Sequence, residues 1–455
     1  MAQARNGIDE DALGWAVRTG DPQFDDWEAF TTWLEANPCH AARYDAVAAA
    51  VAVPATARAQ SAPSGEPIKI GGSMSLSGGL AGNGRPAGLT HKLWADEVNA
   101  RGGLLGRPVQ IVTYDDQSSG AQVPGIYTKL IDVDKVDLVV SGYATAIIAP
   151  AMPVVMQRNR TFVSLFGTGV NSEFKYDRYF SINPSGSNPN QTFAKGFIEL
   201  AMAMEPRPRS IAIVNLDSDF HQRAAESARS LARQAGLRVV YDRAYPPTTV
   251  DFSPIIRAVQ AARPDVVFVG SYPPDTAGLL RAASELRVNF QLFGGPMIGP
   301  HITAQKLQLG PILNNLVVWD VYAPEPTLQF PGTASLIERY QPIAAREGTD
   351  ALGYYVPPMA YTQMQVLEQA VKKVGSLDQA ALAKVMHEST FDTVIGPVRF
   401  DAQGEWPEPR DIYTQYQGVQ GSGVEQFKRA GTQVILYPAQ YKSGELRKPY
   451  TAGAA

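Results

Sequence analysis

The stretch Ile68-Lys-Ile-Gly-Gly-Ser-Met-Ser-Leu-Ser-Gly78, with Val109-Gln-Ile-Val-Thr-Tyr-Asp-Asp116 behind it, decides the fold class. Residues 68–71 form a short apolar run that ends in small residues, the signature of a strand. Residues 88–100 carry a helical pattern and stop at Arg101-Gly102-Gly103, where glycine can take the left-handed turn that ends a helix. Residues 109–114 make the next strand, and 136–140 and 161–164 are further short apolar runs. Strands that alternate with helices imply a parallel sheet covered on both faces.

The pattern restarts downstream. Residues 210–214 read as a strand, 224–235 as a helix closed by Gly236, and 237–241 and 266–270 as strands; 291–294 and 316–319 continue the series. The chain therefore holds two similar α/β units, near 68–187 and 188–325. Two such units in tandem place a cleft at the carboxyl ends of two sheets, where small ligands bind.

Composition sets the outer limits. The 455 residues allow two or three domains. Hydrophobic residues at 45% and charged residues at 18% are globular values, which excludes wholesale disorder. Lys and Arg number 40 against 44 Asp and Glu, a net charge of -4, without the basic footprint of a nucleic-acid binder. No run of about 18 apolar residues marks a transmembrane helix. Cys39 is the single cysteine, and the five histidines are scattered without metal-ligand spacing, so neither a cofactor nor a metal is expected.

Residues 1–45 read as a separate helical segment. Asp9, Glu10 and Asp11 suit a helix start. Leu13, Trp15 and Val17 follow them. Trp27, Phe30, Trp33 and Leu34 share one face of a second helix that Asn37-Pro38 ends, and a third runs over 40–47. The aromatics make its expected core. Ala12-Leu-Gly-Trp15, Phe30-Thr-Thr-Trp33-Leu34 and Asn37-Pro38-Cys39-His40 give this segment a resemblance to the N-terminal helical domain of FecR-type anti-sigma regulators. Residues 46–66 are an Ala/Val and then Pro/Gly-rich stretch. Ala57-Arg-Ala59 has the small-x-small form of a signal-peptidase site, some 40 residues further in than a secretory signal should begin. Both a flexible linker and a signal-peptide remnant fit.

Catalytic motifs are weak. Gly82-Asn-Gly84-Arg-Pro-Ala87 fits G-x-G-x-x-A between a strand and a helix. However, Gly78 and Gly79 lengthen the loop, and no acid stands about 20 residues beyond it. What survives is a Gly-rich helix start around Asn83 that offers N–H groups to an anion. Asp25-Asp26 and Asp115-Asp116 are adjacent acids, which usually face opposite ways or line a turn. The better signal is the set of strand ends. Ser141-Gly142 leads to Tyr143, Thr145 and Ala146, and Phe166 leads to Gly167 and Thr168. In the second unit the ends lead to Asp217-Ser-Asp-Phe220 and to Tyr272. Hydroxyls on one unit suit a carboxylate, and rings on the other suit a flat or apolar body.

Over 67–447 the chain resembles the type I periplasmic solute-binding proteins of the branched-chain amino acid and amide class, the receptors of ABC importers. The carrying residues are the 68–78 stretch, Ala95-Asp-Glu-Val-Asn-Ala-Arg-Gly-Gly-Leu-Leu-Gly-Arg-Pro-Val109, Tyr114-Asp-Asp116, Asp251-Phe-Ser253, Pro264-Asp-Val-Val-Phe-Val-Gly270 and Thr393-Val-Ile-Gly-Pro-Val-Arg-Phe-Asp-Ala-Gln-Gly404. The resemblance implies two Rossmann-like lobes joined by three crossovers: lobe 1 from 67–186 and about 326–410, lobe 2 from 187–325 and about 411–447. It implies hinge closure on a small ligand, no catalysis, a periplasmic location and permease subunits as partners. It places the ligand on Tyr143, Thr145, Ala146, Phe166, Gly167, Thr168, Phe220 and Tyr272, with Thr168 as the hydroxyl that holds its carboxylate. Where amino-acid binders put an acid on the ligand ammonium, this chain reads Gly294-Gly-Pro-Met297-Ile298. A ligand without an amino group is therefore favoured, an acid with an aromatic or apolar body or an amide. The competing classes are a ligand-sensing input to a regulator, through the FecR-like segment, and an enzyme that uses the Gly-rich loop.

Overall fold

The computed structural model describes residues 11–51, apart from 13, 17 and 20–23, and residues 62–452. They fall into two compact units, one within Met1–Ser61 and one within Ala62–Ala455.

In the first unit, helical residues between 11 and 19 precede the helices Trp27–Ala36 and Pro38–Val51. Extended backbone at Asn37 separates the last two. The Trp15 ring lies 5.5 Å from Phe30 and 6.1 Å from Trp33, and Trp33 stacks on His40 at 4.4 Å. Aromatics thus form the core of this unit, although Trp27 is 54% exposed and lies largely outside it. The last helix extends to Val51, beyond the 40–47 expected. Asp9, Glu10, Leu13, Val17 and the Ala57-Arg-Ala59 sequence lie outside the described residues.

The second unit is built on two sheets. Strands β1 (Ile68–Met74), β2 (Val109–Asp115), β3 (Leu138–Val140), β4 (Phe162–Ser164) and β5 (Tyr179–Ser181) form a parallel sheet in the order β2-β1-β3-β4-β5. The second sheet uses β6 (Ser210–Leu216), β7 (Arg238–Tyr245) and β8 (Val266–Gly270). After β9 (Asn289–Phe290) come β10 (Leu292–Gly295) and β11 (Val317–Asp320). After the hairpin of β12 (Phe391–Thr393) and β13 (Gly396–Val398), β14 (Ile412–Tyr416) and β15 (Gln433–Tyr437) add an antiparallel edge. The order is β15-β14-β11-β10-β8-β6-β7, and β9 pairs separately with β16 (Tyr450–Thr451). All seven residues of β6 are buried, as expected for a strand covered on both faces.

The chain passes between the lobes three times: from β5 to β6, from β11 to the helix Thr333–Glu347, and from β13 to β14. The segment after the second crossing packs on the first sheet through the helix Val356–Val374. There Gln363 accepts from His91 Nε2 at 2.9 Å and donates to the Val163 carbonyl at 2.7 Å, and Trp94 Nε1 donates to Glu368 at 2.9 Å. Burial holds His91 down at about 4, so its ring is neutral.

The Gly-rich stretch differs from its expected form. The helix starts at Ala81, not 88, so Gly82 to Ala87 are its first turns rather than a phosphate-binding loop. A Cβ on Gly84 would stand 2.0 Å from the Ser75 carbonyl oxygen, so the glycine serves close helix–strand packing. The Asp115-Asp116 pair holds the loop after β1. Asp115 accepts from the amides of Leu76 and Ser77 and from the Ser77 hydroxyl, and buried Asp116 accepts from Ser75 Oγ at 2.5 Å.

Candidate functional site

The carboxyl ends of the parallel strands meet at one small cleft. After β3 come Tyr143, Ala144 and Thr145; after β4, Phe166 and Thr168; after β5, Asn183. The other lobe brings Phe220 after β6, Tyr272 after β8, Ile298 after β10, and Trp319 within β11. Tyr355 enters just ahead of the helix Val356–Val374. Ala144 has φ +80°, a left-handed conformation that non-glycine residues rarely adopt; it turns the chain from β3 into the helix Thr145–Ile148.

The polar end is a chain of hydrogen bonds. Thr145 Oγ1 accepts from the Thr168 amide at 3.1 Å. Thr168 Oγ1 accepts from Asn183 Nδ2 at 2.8 Å, and Asn183 Oδ1 accepts from the Ser185 hydroxyl at 3.2 Å. Both threonines therefore accept from the protein and keep their own protons to donate. Two oriented hydroxyl donors suit an anion.

The walls are aromatic. Phe166 lies 5.4 Å from Tyr143 and 4.8 Å from Tyr355, and Phe220 stacks on Tyr272 at 6.2 Å. His301 supports the wall from behind. Its ring lies 4.2 Å from Tyr355, and its Nε2 bonds the Trp319 carbonyl at 2.8 Å; burial lowers its pKa. No charged side chain is among the described residues that line the cleft. Asp320, next to Trp319, accepts from Gln433 at 2.8 Å and from the Val321 amide at 2.8 Å. Asp217 accepts from Gln222 at 2.5 Å. Burial raises Asp275 to about 6, and it bonds the Tyr245 hydroxyl.

Six of the ten candidate residues come together here: Tyr143, Thr145, Phe166, Thr168, Phe220 and Tyr272. Four do not. Asn83 is buried at the start of the helix Ala81–Ala100, its Oδ1 without a donor. Ala146 is exposed, and Ala144 takes the lining position. A Cβ on Gly167 would meet the Tyr179 hydroxyl at 2.3 Å, so this residue backs onto the sheet. Met297 is fully buried in the core of the second lobe, and its neighbour Ile298 faces the cleft. Sequence reasoning missed Ala144, Asn183, Ile298, Trp319 and Tyr355. Trp319 closes an apolar run already read as a strand, so the strand-end rule could have found it. Tyr355 follows no strand and carried no such signal.

The lobes are closed on the cleft. The volume open to the centre of a water-sized sphere is about 10 Å³, near the minimum for one water. A ligand the size of an amino acid or benzoate can enter only when the lobes part. A larger crevice of about 480 Å³ lies nearby, lined by Glu173, Asp219, Arg223 and Glu226 among others. An Arg223–Glu173 ion pair fills part of it, and its mixed charges make it a poorer ligand pocket than the aromatic cleft.

Residues 67–413 match the periplasmic binding protein family, and the chain belongs to that family. The chain is similar to the Leu/Ile/Val-binding protein of Escherichia coli (strain K12). The two are 24% identical over 341 residues, which cover 75% of this chain and 88% of the relative. Among solved structures it is similar to the branched-chain amino acid transporter substrate binding protein LivJ from Streptococcus pneumoniae in complex with isoleucine. The TM-score is 0.67 at 17% identity, covering 82% of this chain and 100% of that one. An ABC transporter solute binding protein from R. palustris in complex with benzoate gives 0.66 at 17% identity, covering 82% and 96%. Both likenesses establish the type I periplasmic-binding-protein fold: two lobes and a hinge of three crossovers.

Proposed function

We propose that this chain is an extracytoplasmic solute receptor of an ABC importer that binds a small carboxylate with an aromatic or apolar body. The observation that carries the reading is the lining of the cleft: two threonine donors at one end, mostly aromatic rings around the rest, and no acid among the described residues. A buried ammonium without a carboxylate partner costs several kcal/mol. Cation–π contact with the rings returns only about 0.5–2 kcal/mol. The curated relatives are named for leucine, isoleucine and valine, but here such a ligand would set its ammonium against Ile298 and ring faces.

On this reading lobe 1 comprises residues 67–186 and about 326–410, and lobe 2 comprises 187–325 and about 411–447. The receptor works in the periplasm, hands its ligand to permease subunits and catalyses nothing. A second reading, a ligand-sensing input to a FecR-like regulator, is favoured by one observation, the separate compact unit within Met1–Ser61. The test is side-by-side calorimetry with leucine and benzoate. Benzoate binding with a weak or absent leucine response supports the proposal; tight leucine binding with no benzoate response refutes it.

A further inference from the structure

One buried side chain ties together three of the residues that line the cleft. His301 Nδ1 lies 3.1 Å from the Ile298 carbonyl oxygen, and Nε2 lies 2.8 Å from that of Trp319. The ring is 4.2 Å from Tyr355. Ile298, Trp319 and Tyr355 face the cleft, and His301 is buried behind them. Ile298 and Trp319 belong to the second lobe. Tyr355 comes just ahead of the helix Val356–Val374, which packs on the first sheet. The His301–Tyr355 contact therefore crosses from one lobe to the other.

The surroundings of the ring decide how many protons it holds. From β11 the Asp320 carboxylate comes within 3.4 Å of Nε2. From the helix Thr303–Leu309 the buried Lys306 ammonium acts on the ring through space. From the opposite lobe comes the Tyr355 phenol, which burial keeps protonated. Among the described residues, both ring nitrogens meet only oxygen acceptors. A neutral imidazole has one N–H for this set, and an imidazolium has two. In the closed protein burial lowers the pKa of the ring, Asp320 offsets part of that, and Lys306 adds to it. Tyr355 completes the burial. When the lobes part, its cover is withdrawn and water reaches the ring, while the acceptors for a second proton stay in place.

We infer that His301 is a positioning residue that holds the cleft wall as a neutral ring, and that its protonation opposes lobe closure, so the receptor loosens its hold on the ligand in acid. This rests on the reading of the chain as a receptor whose lobes close on a small ligand, and not on which ligand that is. The open state binds the proton and the closed state does not, so ligand binding releases it. The closing experiment is calorimetry on the full chain with benzoate or leucine, whichever binds; neither titrates between about pH 5.5 and 7.5. With an ordinary histidine value of about 6.5 in the open state, Kd should rise about tenfold as pH falls from about 7.5 to 5.5. Titrations near the middle of that range in buffers of different protonation heat should show protons released on binding. Asp411, which bonds Trp319 Nε1, titrates in the same range, and variants of His301 separate the two. His301→Gln keeps an N–H for the Trp319 carbonyl but does not titrate, and its Kd should stay within about twofold across the range. His301→Asn, with an N–H toward the Ile298 carbonyl, is the second variant and should flatten the profile too. A pH-independent Kd in the parent overturns the inference and leaves the receptor reading standing. The parent's slope persisting in both variants also overturns it, as does loss of all binding in both variants at every pH, which makes the ring a fixed scaffold. Failure of the parent to bind either ligand overturns both readings.

Discussion

Replacing Thr168 by valine separates the anion-binding role of its hydroxyl from its structural one. Valine keeps nearly the same volume, so the walls need not move. Two hydrogen bonds are lost. The first is the hydroxyl's own donation to the ligand carboxylate, worth roughly 1.5–3 kcal/mol for a charged acceptor, or about 10- to 150-fold in Kd. The second is the bond that Thr168 Oγ1 accepts from Asn183 Nδ2 at 2.8 Å; both residues are buried. Leaving that amide without an acceptor costs about 1–3 kcal/mol of stability, about one to four degrees of Tm in a protein of this size. The assay is calorimetric titration of the best-binding aromatic acid, with thermal melts of the free proteins. Thr168→Ser retains the hydroxyl and should restore most of the affinity. If Thr168→Val melts lower yet binds within twofold of the parent, the hydroxyl is structural only and the carboxylate assignment fails.

Three further outcomes follow from other parts of the molecule. A chain lacking residues 1–61 should melt within a degree or two of the parent and bind equally well, because these residues form their own compact unit; a large loss in a melt would show docking. Gly84→Ala should destabilise by about 1–3 kcal/mol in urea unfolding, since its Cβ would meet backbone oxygen at 2.0 Å; an unchanged midpoint would refute the close-packing account. Burial raises Asp411 to about 7 while its carboxylate accepts from Trp319 Nε1 at 3.0 Å. The folded state then holds a proton that the unfolded chain releases near pH 4, so stability should fall as pH rises from about 4 to 7. Asp411→Asn should flatten this fall in urea melts taken across that range, and an unaltered slope would assign it to other groups.

Much of the fold was legible because strands buried on both faces are written as apolar runs. Val266–Gly270 matches its expected run in full, and β6 differs from its own only by two added residues, Asn215 and Leu216. Polar residues at strand ends cost the reading its accuracy: β7 runs on to Tyr245 through Asp242 and Arg243, which edge position permits. The helix start at Ala81 was hidden by Gly82, Gly84 and Pro86, which usually mark loops and here allow a close approach to Ser75. In the site, the strand-end rule found residues that directly follow a strand. It failed at Ala146, and the resemblance failed by one position at Met297, where Ile298 faces the cleft instead, because adjacent residues on a turn face opposite ways and no periodicity decides between them. Asn183 follows β5 and is itself a strand-end residue, missed because that strand was not read in the sequence; Tyr355 reaches the cleft through tertiary packing, and local sequence carries no trace of that.

The closed state also constrains where binding energy comes from. Arg223 of the second lobe reaches Glu173 of the first, but the Glu173 side chain is 66% exposed. Such a pair is screened by salt and worth little. The aromatic walls meet across a gap too narrow for a ligand of amino-acid size, so entry first separates Phe220, Tyr272 and Trp319 from the rings of the other lobe. That opening exposes apolar surface and costs free energy before any ligand contact forms. A ligand that restores the same apolar contacts repays the cost, whereas a compact polar ligand does not. A flat body that fills the space between the rings, with an acid group on the Thr145 and Thr168 hydroxyls, meets both requirements. A free ammonium facing Ile298 meets neither.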